Sequence, residues 1–115
     1  MTDAKMTQDR LTLEALDQRI AERANMPPEL SYTSSLLEVG VERCAKKFGE
    51  EAAELLIAAV TKDQRGTVAE AADVLFHLLV LLRSADVTLE AVMDELGKRT
   101  GQSGHEEKAS RKKHK

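Results

Sequence analysis

The fold is decided by the stretch KKFGEEAAE, which occupies residues 46–54. Its acidic residues Glu51 and Glu54 are three positions apart, and residues at that spacing share one face of an α-helix. Apolar residues recur at spacings of three, four and seven from Val41 to about Thr61, which predicts one long amphipathic helix around the stretch. The sequence therefore places a row of carboxylates beside an apolar stripe.

A second long helix is predicted after a turn at residues 62–66 and runs to about Ala85. We expect Thr67 to be its N-cap, with Glu70 completing a capping box three residues later. From Val68 to Leu82 the pattern is apolar on nearly all sides, which is typical of a helix that is buried all round. The polar exceptions, which share one face, are Glu70, Asp73 and His77.

Two shorter helices are predicted before the quoted stretch. The first runs from about Asp9 to Asn25 with Asp9 as its N-cap, and the two prolines that follow end it because proline cannot continue a helix. The second covers residues 36–37 and takes its N-cap from residues 31–35. It ends at Gly40, because glycine readily adopts the left-handed conformation of a C-cap.

The last predicted helix covers roughly residues 89–99, with Thr88 as its N-cap. Its apolar residues, which we expect to face inward, are Val92, Met93 and Leu96. The sequence contains no strand pattern and no internal repeat, so we predict an all-α domain over residues 9–100. Residues 1–8 and the basic tail at residues 101–115 are predicted to be flexible extensions.

Length, composition and charge limit the class of protein. A chain of 115 residues fits one domain, and its 3% aromatic content suits helices better than sheet. A formal net charge of -3 does not indicate a nucleic-acid-binding protein. The single Cys44 fits a reducing compartment. No apolar run reaches about 18 residues and no signal-peptide core is present, so we expect no membrane contact and a cytoplasmic location.

The acidic residues of the two long helices indicate a cation site. An ionised carboxylate buried without a partner is very unfavourable, and Asp73 lies among leucines past the first turn of its helix. Sites made only of carboxylates suit Mg²⁺, Mn²⁺ or Ca²⁺. An iron site would require Glu-x-x-His on paired helices, and a zinc site would require a Cys/His cluster, so both fit the sequence less well.

Other interpretations of these charged residues remain open at this point. The acids of residues 50–54 fit a solvated helix face equally well, and Glu70 fits a capping role. Salt bridges to Arg43, Lys46 or Lys47 would also neutralise the acids. His77 is expected to support the site from behind rather than to bind metal, and the two lysines are either surface charges or ligands for phosphate oxygens.

The chain resembles the phosphoribosyl-ATP pyrophosphatase family, which belongs to the all-α nucleoside triphosphate pyrophosphatases of MazG type. The superfamily pattern, Glu-x-x-Glu, a spacer and Glu-x-x-Asp, is met by Glu51, Glu54, Glu70 and Asp73. The narrower resemblance lies in the segments SYT at 31–33, KKFGEE at 46–51, EAADVLFHL at 70–78 and RTGQSGHEEKA at 99–109. Phe76 stands where the family usually has tyrosine.

The resemblance implies Mg²⁺-dependent hydrolysis of phosphoribosyl-ATP to phosphoribosyl-AMP and pyrophosphate, in histidine biosynthesis, by a short helical bundle completed by homodimerisation. It implies that the metal ligands are Glu51, Glu54, Glu70 and Asp73, and that Glu50 is a further ligand or orients the attacking water. The implied catalytic residues are Glu50 and Glu51. The implied phosphate-binding residues are Lys46, Lys47 and Arg99, with Lys108 and Arg111 as further candidates. The competing hypotheses are a hydrolase of other nucleoside triphosphates, a non-catalytic helical dimer and a carboxylate-bridged iron protein.

Overall fold

The computed structural model describes residues 10–101, and within this range the chain is helical with no strand. The all-α class predicted from the sequence is confirmed. In chain order the helices are α1 (Leu13–Ala24), a 3-10 turn (Pro28–Leu30), α2 (Tyr32–Val39), α3 (Val41–Val60), α4 (Gln64–Ser84) and α5 (Leu89–Thr100).

Helix α1 starts later than the sequence predicted. Thr12 is its N-cap, and the Thr12 hydroxyl oxygen accepts a hydrogen bond from the Ala15 N–H at 3.1 Å. Threonine satisfies one of the free N–H groups of the first turn, so the helix needs no earlier cap. The predicted cap Asp9 lies outside the described residues, as do residues 1–8, Lys108, Arg111 and all but the first residue of the predicted tail.

The boundaries of α2, α3 and α5 agree with the predictions. Ser31 caps α2 by accepting a hydrogen bond from the Ser34 N–H at 3.1 Å, and Thr88 caps α5 by accepting one from the Ala91 N–H at 3.1 Å. Gly40 lies between α2 and α3 with φ 118°, a backbone conformation that residues with a side chain rarely adopt. This glycine allows α3 to begin at the next residue.

The predicted start of α4 is wrong. The N-cap is Asp63, whose Oδ1 accepts a hydrogen bond from the Gly66 N–H at 2.9 Å, and a side chain at Gly66 would collide with this carboxylate. Thr67 lies inside the first turn and its hydroxyl donates to the Asp63 carbonyl at 2.7 Å. Glu70 is therefore seven residues past the cap, so a capping box does not explain its carboxylate.

A small core joins α1 and α2 to the long pair of helices α3 and α4. It contains the buried residues Ile20, Leu36, Cys44, Leu79, Val80 and Leu89. Each of the five helices contributes at least one of them, so α3 and α4 are held at fixed positions relative to the shorter helices. This arrangement brings the acidic faces of the two long helices together.

One chain does not cover all of its apolar surface. Large apolar side chains at the connected ends of α3 and α4 are 62% to 77% exposed, namely Leu56, Ile57, Val60 and Val68. A single chain thus leaves part of α4 uncovered, and the burial of this helix on all sides stays a prediction that depends on homodimerisation. On α5, Leu89 is buried instead, while Met93 and Leu96 are exposed and do not face inward as expected.

Within residues 10–101, no helix combines the length and apolarity that crossing a membrane requires.

Candidate metal centre

Three carboxylates from the two long helices meet where α3 packs against α4. Glu51 of α3 and Glu70 and Asp73 of α4 each offer one oxygen atom, and these atoms all lie within 4.8 Å of one another. Glu51 and Glu70 are half-buried and Asp73 is exposed. We call these three residues the acidic cluster, and its open side is the side of Asp73.

Glu70 is the least satisfied member of the acidic cluster. Its Oε1 is buried and has no hydrogen-bond partner among the described residues. Burial raises the pKa of Glu70 most, and the charge of Glu54 raises it further. A hydrogen bond with Glu51 and the charges of Glu51 and Asp73 add to the effect. A carboxyl group in such a position favours either a proton or a cation, because both remove the unfavourable negative charge.

Glu54 lies near the acidic cluster without belonging to it. Its side chain is exposed, and its charge is the second largest cause of the raised pKa of Glu70. Of the four acids in the superfamily pattern, the structure thus brings three together and leaves the fourth at their edge.

Glu50, which the resemblance implied for the attacking water, is turned toward a lysine. Its Oε1 lies 3.4 Å from Nζ of Lys47 in the previous turn of α3. The Tyr32 phenol beside this ammonium raises the pKa of Lys47 most, and a hydrogen bond to Glu50 and the charges of Glu50 and Glu51 add to the effect. The contact that the structure shows for Lys47 is the one with Glu50, one turn further along α3.

The other two implied phosphate ligands stand apart from this arrangement. Lys46 is exposed on α3. Arg99 is near the end of α5, and its Nε donates to Oε2 of Glu95 at 2.9 Å. None of the contacts found within residues 10–101 joins either side chain to the acidic cluster.

His77 uses both ring nitrogens inside the protein. Nδ1 lies 2.9 Å from the carbonyl oxygen of Asp73, and Nε2 lies 3.1 Å from the hydroxyl of Tyr32. The ring is buried and also packs edge-on against Phe76. Both ring nitrogens therefore have a partner within the protein, one of them the backbone of Asp73.

Sequence reasoning gave no role to Tyr32, although the residue lies within one of the segments that carry the family resemblance. The structure places it beside His77 and Lys47, which are 45 and 15 positions away along the chain. The available signal was that this is the only tyrosine of the chain. Nothing in the spacing predicts which residues it contacts, because they come from three different helices.

The chain matches known sequences along most of its length. The profile of a family described as Phosphoribosyl-ATP pyrophosphohydrolase matches residues 13–100. The chain belongs to this family. It is 50% identical to "Phosphoribosyl-ATP pyrophosphatase" of Azorhizobium caulinodans over 94% of this chain and 99% of that protein. It is 55% identical to "Phosphoribosyl-ATP pyrophosphatase 1" of Rhodopseudomonas palustris, over 90% of this chain and 97% of that protein.

A third relative, "Phosphoribosyl-ATP pyrophosphatase" of Paracoccus denitrificans, is 54% identical over 87% of this chain and 93% of that protein. The resemblance noted in the sequence is therefore confirmed, and the chain is a hydrolase of a family that acts in histidine biosynthesis. The match spans α1 to α5, which includes every residue of the acidic cluster.

Proposed function

We propose that this protein hydrolyses phosphoribosyl-ATP to phosphoribosyl-AMP and pyrophosphate, with Mg²⁺ held by Glu51, Glu70 and Asp73. The observation that carries the proposal is that three carboxylate oxygens lie within 4.8 Å of one another. One of the three residues, Glu70, also has a buried oxygen, Oε1, without a hydrogen-bond partner among the described residues. The substrate follows from the names of the close relatives, which cover nearly the whole chain.

The donor set of the acidic cluster fits Mg²⁺. This ion takes oxygen ligands at about 2.0–2.1 Å in octahedral geometry and usually keeps water or phosphate in several positions. Two oxygens on opposite sides of the ion are thus about 4 Å apart. The present separations of up to 4.8 Å require only a small inward movement of side chains that repel each other when no cation is bound.

The residues near the proposed Mg²⁺ site have different proposed roles, according to their positions. A bound Mg²⁺ would neutralise phosphate oxygens and lower the pKa of a bound water. Glu54, at the edge of the cluster, is the proposed fourth ligand. Glu50, which is paired with Lys47, is the residue proposed to orient the attacking water. Positioning and charge neutralisation account for most of the catalysis of phosphoryl transfer, so no side-chain nucleophile is needed.

The phosphate-binding role is proposed first for Lys47, because it is half-buried and close to Glu51. Lys46 and Arg99 remain weaker candidates at exposed positions. Lysine binds phosphate as a point charge and does not require a fixed geometry. The ammonium of Lys47 thus needs only to stay near the cluster to attract the triphosphate.

We further propose that the active protein is a homodimer. The exposed apolar residues at the connected ends of α3 and α4 form a surface that one chain leaves in water. Burying each such side chain stabilises a dimer by about 1.5–3 kcal/mol.

The only cysteine, Cys44, is buried as a free thiol, which supports a reducing, cytoplasmic location.

The proposal is tested by incubating the purified chain with phosphoribosyl-ATP and Mg²⁺ and separating the nucleotides by chromatography. We expect phosphoribosyl-AMP and pyrophosphate in equal amounts, and no reaction after EDTA is added. A parallel set of ATP, dATP, dUTP and dCTP measures selectivity. Faster hydrolysis of any of these four than of phosphoribosyl-ATP would replace the proposed substrate.

A further inference from the structure

A cavity of about 350 Å³ lies between α4, the end of α1 and the segment that leads into α2. Aromatic, aliphatic and cationic side chains line it, among them Arg23, Met26, Leu30, Tyr32 and Phe76. Met26 and Leu30 are 41% and 71% exposed, so one side of the cavity is an apolar rim open to solvent. A concave, largely apolar space of this size with a few polar groups is typical of a small-molecule site.

The cavity lies about one helical turn from the acidic cluster. Asp73 and Phe76 are three positions apart on α4, a spacing that puts them on one face, about 4.5 Å apart along the helix axis. His77 contacts both places, because its ring nitrogens lie 2.9 Å from the Asp73 carbonyl oxygen and 3.1 Å from the Tyr32 hydroxyl. Val68, on the exposed apolar surface, precedes the cluster along α4, whereas Phe76 follows it. A ligand with phosphates at the acidic cluster can thus extend into the cavity without covering that surface.

The ring of Tyr32 is a fixed aromatic wall of this cavity. It stacks on Phe76 with ring centroids 6.3 Å apart and planes 18° apart, and its hydroxyl is hydrogen-bonded to His77. Even so, 51% of Tyr32 is exposed, so part of its surface remains open to a ligand. Every nucleobase has a flat π-face that stacks on aromatic side chains. A ring that is already held in place loses little freedom when a base stacks on it, which favours binding.

Arg23 adds a positive charge to the same cavity. It is exposed in the last turn of α1, and within residues 10–101 no acidic side chain forms an ion pair with it. A guanidinium group binds phosphate oxygens through two parallel hydrogen bonds. Phosphoribosyl-ATP differs from ATP by a phosphoribosyl group on the adenine ring, so it carries a further phosphate beyond the base. The aromatic wall and the cation together match this end of the molecule.

We propose that the cavity is the base subsite of this enzyme: the adenine ring of the substrate stacks on Tyr32, and Arg23 binds the phosphate of the phosphoribosyl group on that ring. The inference rests on the proposed function, because it names the part of phosphoribosyl-ATP that binds beside the acidic cluster. It also explains a preference for phosphoribosyl-ATP over ATP, which lacks the phosphate that Arg23 binds.

The aromatic wall is tested with Tyr32→Ala, which removes the ring, and Tyr32→Phe, which keeps it. In calorimetric titrations phosphoribosyl-AMP should bind at least about tenfold more weakly to Tyr32→Ala than to the parent chain, and within about threefold to Tyr32→Phe. Pyrophosphate with Mg²⁺ has no base and should bind all three proteins equally. Equal weakening of both ligands in Tyr32→Ala would overturn the proposal, because a general loss of structure would explain it. Equally weak phosphoribosyl-AMP binding in Tyr32→Phe would also overturn it.

Arg23→Gln gives a second test that does not depend on the folding of the Tyr32 variants, because Arg23 is exposed. It should weaken binding of phosphoribosyl-AMP about tenfold and leave binding of AMP within about twofold. The matched control is Arg19→Gln, an exposed arginine one turn earlier on α1 that does not line the cavity. The control should bind both nucleotides like the parent chain. An equal effect of Arg23→Gln on the two nucleotides, or no effect on either, would overturn the proposal.

Hydrolysis assays distinguish a failure of this inference from a failure of the proposed function. If the parent chain does not hydrolyse phosphoribosyl-ATP but the binding results hold, the reaction is wrong and the base subsite is supported. If phosphoribosyl-ATP is hydrolysed with the same KM by the parent chain, Tyr32→Ala and Arg23→Gln, the reaction stands and the base subsite is wrong. The account predicts hydrolysis by all three proteins, with KM raised about tenfold in each variant.

Discussion

Glu51 and Glu70 come from different helices, yet their carboxylate oxygens lie within 4.8 Å of each other and of Asp73. Like charges this close repel, and here one of the oxygens of Glu70 is also buried without a partner. The contact therefore costs stability in the absence of a cation. We interpret it as a binding site kept at the expense of the stability of the metal-free protein, and this interpretation leads to measurable consequences.

Removing the charge of Glu70 should stabilise the metal-free protein. Its pKa is raised in the folded chain, so its contribution to stability is fully present below the unfolded pKa and is lost as pH rises through the folded pKa. In EDTA at pH 7, Glu70→Gln should therefore have a higher Tm than the parent chain, measured by circular dichroism. The gain should shrink as pH falls, because the raised pKa of Glu70 makes this carboxyl neutral in the folded parent chain before an ordinary glutamate is.

Glu42→Gln is the control for this comparison, because Glu42 is an exposed acid in the first turn of α3. A negative charge there is favourable to the helix dipole, so its removal should give no gain in Tm. A lower Tm for Glu70→Gln than for the parent chain in EDTA at pH 7 would mean that the negative charge of Glu70 does not destabilise the metal-free protein.

Mg²⁺ should stabilise the folded chain through Asp73. A ligand at a concentration one hundred times its Kd adds about 2.7 kcal/mol to the free energy of unfolding. We expect Tm to rise by several degrees with Mg²⁺ in the parent chain and in Asp94→Asn, an exposed acid on α5, but not in Asp73→Asn. An equal rise in all three proteins would place the ion elsewhere and would favour a non-catalytic helical protein.

Asp63→Ala should destabilise the protein more than Thr67→Ala. Loss of an N-cap side chain costs about 1 kcal/mol, whereas Thr67 lies inside the first turn and only bonds back to the Asp63 carbonyl. Urea unfolding followed by circular dichroism measures both differences. If Thr67→Ala destabilised the protein more than Asp63→Ala, the N-cap of α4 predicted from the sequence would be right.

A charge on the exposed apolar surface should disrupt the proposed homodimer. Ile57→Glu would bury an unpaired carboxylate in the interface, which we expect to weaken dimerisation by about a hundredfold or more. Val39→Glu, at an equally exposed apolar position on α2, is the control and should leave the dimer intact. Light scattering with size-exclusion chromatography reports the mass, and a monomeric parent chain would refute the dimer directly.

The sequence predicted the helices and the acids of the site because both depend on short-range patterns. Gly40 and Thr88 have clear local roles, and the spacing of Glu51, Glu70 and Asp73 fixes their helix faces. Asp63, which the sequence analysis placed in the turn, is as good a cap as Thr67. The positive φ of 63° at Lys62, just before the true cap, leaves no sequence signal. Local spacing alone does not decide between neighbouring caps.

Two further features depend on the positions of side chains, which sequence periodicity does not predict. Glu50 lies in the same turn as Glu51, but its rotamer brings it to Lys47 and not into the acidic cluster. The bond between Tyr32 and His77 joins residues 45 positions apart, and it forms only because α2 packs across α4. Met93 and Leu96, which their spacing alone placed in the core, are exposed on α5.

The most direct test of the account is the rate of pyrophosphate release from phosphoribosyl-ATP by Asp73→Asn at saturating Mg²⁺, beside the parent chain and Asp94→Asn. The account predicts rapid release by the parent chain and the control. It predicts a loss of about a hundredfold or more in Asp73→Asn, whose circular dichroism spectrum should stay unchanged. Full activity in a folded Asp73→Asn would contradict the assignment of the acidic cluster as the metal site.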